Sequence, residues 1–115
     1  MKDFNGEIQY KDKTYTMVFN LNVMEAIQER YGTIDKWAEL TDGQAGEPNA
    51  KAVIFGFTEM INEGIDIANE ENGTDEKFLT LKQVGRIITD VGLREATQKM
   101  NETVVNSTKS AEKNA

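Results

Sequence analysis

The stretch AKAVIFGFTEMINEGIDIANEEN, residues 50–72, decides how this chain folds. Val53, Phe57, Met60, Ile61, Gly64, Ile65 and Ala68 recur at three- and four-residue spacings. A helix therefore carries them all on one face and turns Glu59, Glu63, Asp66 and Glu70 to the other. Ile54 and Phe55 widen the apolar stripe, which predicts a central helix touched on more than one side.

Upstream, residues 41–49 (TDGQAGEPN) hold two glycines and the single proline, the composition of a surface loop. A short helix over Ile34 to Leu40 precedes it and presents Ile34, Trp37, Ala38 and Leu40. Before that, Asn22-Val23-Met24-Glu25 has the pattern of a capping box, an Asn that accepts from an early helix amide with a Glu reaching back. Val23, Ala26, Ile27, Arg30 and Tyr31 continue the helical period, and Gly32 supplies the stop. The runs Phe4–Tyr10 and Thr14–Asn20 read as two strands joined by the polar turn Lys11-Asp12-Lys13. Ile8 and Tyr10 share a face in the first, and Tyr15, Met17 and Phe19 in the second. An isolated hairpin is marginal in water, so this one must pack on the helices.

Downstream, a polar linker from Glu71 to Lys77 leads to Thr80-Leu81-Lys82-Gln83, again a capping-box pattern. The helix it starts carries Leu81, Val84, Ile87, Ile88 and Val91. Gly92 breaks it, and a fifth helix follows with Leu93, Ala96, Met100 and Val104. From Asn106 the chain has no apolar anchor and is expected to be a disordered tail. The expectation is thus an α+β fold, mostly helical: one globular domain over 1–105, with a hairpin at 4–20 and about five helices over 22–105, and a tail over 106–115.

Composition narrows the chemistry. The chain of 115 residues has no Cys and no His. Disulfides, thiolate metal sites and cysteine nucleophiles are excluded, and the commonest general base and metal ligand is missing. No segment approaches the roughly 20 apolar residues that span a bilayer, and the first residues, MKDFNGEIQY, lack the pattern of a signal peptide. The expected location is the cytoplasm. Net charge is -7, concentrated in the middle, where residues 41–79 hold 2 basic and 9 acidic groups. Such a surface repels phosphate backbones, so neither nucleic acid nor membrane is an expected partner.

The remaining motifs carry little chemistry. Gly43-Gln44-Ala45-Gly46 lacks the Lys-Ser/Thr ending of a phosphate-binding loop. Residues 70–76 (EENGTDE) fit no register of a calcium-binding EF-hand loop. The pairs Glu59/Glu63 and Glu25/Glu29 stand one turn apart without a cation or His beside them. Ser107 and Ser110 fall in the presumed tail, where no nucleophile could be held. The reading is therefore a non-enzyme without metal or cofactor. Contact candidates are Trp37 and Tyr31, types that anchor interfaces, and Met100, Val104 and Val105 on the last helix, where a flexible Met edge adapts to partners. The competing role for Trp37 is to close the core over the hairpin.

Four runs resemble a known family. Tyr15-Thr16-Met17-Val18-Phe19-Asn20-Leu21-Asn22, followed by Met24-Glu25-Ala26-Ile27-Gln28-Glu29-Arg30-Tyr31-Gly32-Thr33-Ile34, is similar to the opening of the small tail assembly chaperones of siphophages and prophages. Lys51-Ala52-Val53-Ile54-Phe55-Gly56-Phe57 and Leu79-Thr80-Leu81-Lys82-Gln83-Val84-Gly85 resemble later helices of that family, and gene-transfer-agent tail proteins share the layout. The resemblance implies a protein of the host bacterial cytoplasm that binds the tape measure protein, keeps its apolar helices from aggregating and helps recruit tail tube protein subunits. It implies no catalytic residue, and a homo-oligomer is compatible with it. It also implies a longer frameshifted product if the codons of Glu112-Lys113-Asn114 are slippery. A rival reading, from the acidic middle segment, is an inhibitor or DNA mimic that binds a basic host protein.

Overall fold

A computed structural model describes residues 5–42 and 46–113, the side chains of 5 and 108–113 excepted. Two antiparallel strands, β1 (Asn5–Tyr10) and β2 (Lys13–Val18), are followed by five helices, α1 (Leu21–Tyr31), α2 (Ile34–Thr41), α3 (Ala50–Asn72), α4 (Leu81–Val91) and α5 (Leu93–Lys113). The fold is α+β and mostly helical, as the periodicity predicts. Phe4 and residues 43–45 lie outside the described residues, and with them part of the first predicted strand and most of the Gly43–Gly46 loop.

The hairpin pairs Ile8 with Tyr15 and Gly6 with Met17, and its two-residue connection closes on Tyr10 opposite Lys13. Lys11 takes φ 56 in this tight turn. Strand β2 stops at Val18, because Asn20 already caps α1: its side-chain oxygen accepts from the Val23 amide at 3.2 Å. This corrects the expected start at Asn22. Asn22 makes no capping box with Glu25, and its amide instead donates to Glu63 at 3.1 Å, beside that of Asn20 at 2.7 Å. Two side-chain amides thus clamp the start of α1 to the middle of α3.

The predicted stops and starts elsewhere form as read. Gly32 ends α1 with φ 92; α3 ends at Asn72, where Gly73, not singled out by the sequence pattern, takes the left-handed region. Thr80 and Gln83 exchange both capping-box hydrogen bonds at the head of α4. Gly92, φ 104, separates α4 from α5. The last helix departs from expectation. It runs on to Lys113, into the stretch read as a disordered tail, and the Ser107 hydroxyl donates to the Phe19 carbonyl at 3.0 Å. One long-range hydrogen bond from a polar residue is invisible to a reading that looks for apolar anchors.

Helix α3 is central and contacts β2, α1, α2, α4 and α5. Phe57, Met60 and Ile61 on α3 are fully buried with Ile8 and Met17 of the hairpin, Ile27 of α1, Val84 of α4 and Met100 of α5. Gly64 sets the approach of α3 to the hairpin, since a Cβ there would run into the Thr16 carbonyl oxygen. The linker before α4 is held by two asparagines of α3. Asn62 exchanges both amide hydrogen bonds with the Leu79 backbone, at 3.0 and 2.8 Å, and Asn69 does the same with Glu76, at 2.9 and 3.0 Å.

Candidate partner-binding site

The helix-rich core leaves an open groove between α3 and α4. Its 840 Å³ are floored by the half-buried Tyr10, Ile54, Phe55 and Gly85 and flanked by the exposed Leu81. Ile54 and Phe55 reach it because the apolar stripe of α3 is wider than one neighbour can cover. The Phe55 ring meets that of Tyr31 in a T-shaped contact, with centroids 5.8 Å apart, and the Arg30 guanidinium lies 5.0 Å from its centroid. Stacked cations of this kind favour a ring held at one orientation.

The charges around the groove are all of one sign. Arg30, Lys51, Lys82 and Arg86 are exposed at its border, and among the described residues no carboxylate lines it. Lys82 and Arg86 stand one turn apart on α4, a spacing that costs a helix a few tenths of a kcal/mol between like charges. Among the described residues Lys51, Lys82 and Arg86 have no carboxylate within ion-pairing distance, whereas Lys13 pairs with Glu76 across the linker. That pairing, through its hydrogen bond first, holds the Lys13 ammonium above its ordinary pKa.

Gly85 stands apart from the other described glycines. Those take positive φ or sit where a Cβ would overlap a neighbour, as at Gly56 under the Trp37 ring. At Gly85 a Cβ would meet only Ile54 Cδ1, at an ordinary 3.6 Å. The fold has room for alanine in the middle of α4, where glycine is about 1 kcal/mol less favourable.

A second concavity of 1260 Å³ lies between the end of the α2–α3 loop and α5, lined by Pro48, Leu93, Arg94, Glu95, Glu102 and Val105 among others. Its border mixes both signs. Thr97 at its wall has a hydroxyl that is buried with no hydrogen-bond partner.

The candidate contact residues do not converge. Trp37 is buried in the core, its indole N–H donating to the Ala52 carbonyl at 3.0 Å, and Met100 is wholly buried. Neither can touch a partner, which corrects both assignments; each packs against the core because its helix faces inward there. Val104 is half-buried against the core, Val105 is half-exposed at the second concavity, and Tyr31 supports Phe55 at the groove. Leu81, read as core, is 51% exposed. What sequence reasoning missed was the groove itself, although Ile54 and Phe55 beside the main stripe and a mid-helix Gly85 between Lys82 and Arg86 were its visible signals.

Among the described residues no three His, Cys, Asp or Glu side chains gather as a metal-holding group, and no helix is long and apolar enough to cross a membrane. Burial first, and the Glu63 charge second, push the Glu59 carboxyl above its ordinary pKa. Comparison with protein families, with curated proteins and with solved structures finds no match to this chain.

Proposed function

We propose that this protein is a phage or prophage tail assembly chaperone, which binds the tape measure protein and helps recruit tail tube subunits while having no catalytic activity of its own. The observation that carries the reading is the open apolar groove between α3 and α4, floored by Tyr10, Ile54, Phe55 and Gly85. Apolar concavities with a few polar or charged groups at the border are where proteins preferentially bind other molecules. Covering the apolar helices of a long partner is what a chaperone of this class requires, and the sequence resemblance runs through the segments that build the groove. The DNA-mimic alternative expects an acidic binding surface, and the groove is bordered by cations.

The test is co-expression with the tape measure protein encoded in the same genome. The reading predicts that the tape measure protein moves from the insoluble to the soluble fraction and co-purifies with this chain. A tape measure protein that aggregates equally with and without it, or a gene neighbourhood with no tape measure gene, would contradict the reading.

A further inference from the structure

We propose that the α3–α4 groove receives one amphipathic α-helix of the partner, whose apolar stripe is flanked by acidic side chains and packs directly on Gly85. The inference rests on the reading of this chain as a binding protein and names the chemistry of what it binds.

Three observations carry it. The first is charge. The chain holds 20 acidic and 13 basic residues, yet Arg30, Lys51, Lys82 and Arg86 border this groove with no carboxylate among the described residues that line it. Against an acidic background that arrangement selects a partner of opposite sign at the groove and repels it elsewhere, which orients the encounter.

The second is shape. Two helices side by side present parallel ridges with a furrow between them, and a third helix is the element that fills such a furrow. The half-buried floor of Tyr10, Ile54 and Phe55 takes the apolar stripe, and the exposed cations at the border take the flanks. Lys82 and Arg86, one turn apart, match acidic residues at the same spacing on a partner helix.

The third is Gly85. Neither backbone conformation nor a neighbouring side chain of this chain requires glycine there. A partner helix that comes close to α4 does require it, because a side chain at this point would stand in the furrow.

The test uses fluorescein-labelled designed helical peptides of about 18 residues, five turns long, with one Leu/Phe stripe and either Glu or Lys at the flanking positions. Binding to the full chain is read by anisotropy at low and high salt, and the contact face by amide shifts in an NMR titration. The Glu-flanked peptide is expected to bind about tenfold more tightly than the Lys-flanked one at low salt, the sum of four weak exposed pairs. The gap should close at high salt. The double variant Lys82→Glu, Arg86→Glu should reverse the preference, and Gly85→Leu should abolish binding of both peptides. Equal affinity for the two peptides, with shifts at Ile54 and Phe55, would overturn the acidic-flank inference and leave the groove as a binding site. No shift at the groove with either peptide would overturn the groove reading itself. Concentration-dependent shifts at Ile54 and Phe55 in the chain alone, with a dimer in sedimentation, would assign the groove to a second copy and overturn the inference.

Discussion

The two flanks of α3 meet their neighbours in opposite ways. Toward the hairpin the contact is closed: Gly64 brings the helix so near that any Cβ would strike the Thr16 carbonyl. Toward α4 the contact is open: Gly85 has room for a side chain, and Ile54 and Phe55 look into a groove. Two glycines of similar appearance in a sequence therefore do different things. One is required by the fold, and the other is spare within it.

The comparison can be broken most forcefully at its closed side. Gly64→Val should push α3 off the hairpin and lower stability by about 3 kcal/mol, since the obstructing atom belongs to a backbone and cannot rotate away. Urea unfolding would read it, and an unchanged midpoint would show that the closed flank is not closed. Next in size is Asn62→Ala. It strips the Leu79 amide and carbonyl of both partners, and an effect of about 1–3 kcal/mol follows from leaving such groups unsatisfied. Thermal unfolding measures the loss, and faster hydrogen exchange at the Leu79 amide localises it.

At the open side the sign turns round. Gly85→Ala should raise stability by up to about 1 kcal/mol through helix propensity. A loss instead would mean that the groove floor is already packed.

The smallest effect comes from Glu59, whose folded-state pKa lies above its ordinary value. A carboxyl raised in this way favours the folded state while protonated, and that contribution is lost as pH rises through the raised pKa. At neutral pH Glu59→Gln should therefore be slightly more stable than the parent, by less than about 0.5 kcal/mol. The advantage should vanish as pH falls below the ordinary carboxylate range. Melting curves across that interval would show it, and a variant that is less stable at neutral pH would contradict the assignment.

The elements were legible because their signals are local. Thr80 and Gln83 announce a helix start, Gly92 a break, and the stripe from Val53 to Ile65 a buried helix, all within a few residues of one another. What escaped the sequence is long-range. Asn20 caps α1 through its side-chain oxygen, while Glu63, some forty residues away, accepts from the side-chain amides of both Asn20 and Asn22, a tie that no local pattern announces. The extension of α5 past Asn106 includes Ser107, which meets the Phe19 carbonyl.

The site was harder to read for the same reason. Trp37 and Met100 are residue types that anchor interfaces, but burial is a property of neighbours, and both are wholly enclosed. Arg30, Lys51, Lys82 and Arg86 come from three separate segments, so their common sign around one groove appears only when the helices are assembled. Net charge pointed the other way: the chain is acidic as a whole and basic around the α3–α4 groove.

The most direct test of the central claim, that this chain acts by covering a partner's apolar helix in the α3–α4 groove, is the soluble yield of the co-expressed tape measure protein with the parent chain and with Gly85→Leu. The account predicts that both chains fold, with matching circular dichroism and with Gly85→Leu melting no lower than the parent, and that only the parent keeps the tape measure protein in solution. Equal soluble yields with the two chains would contradict it.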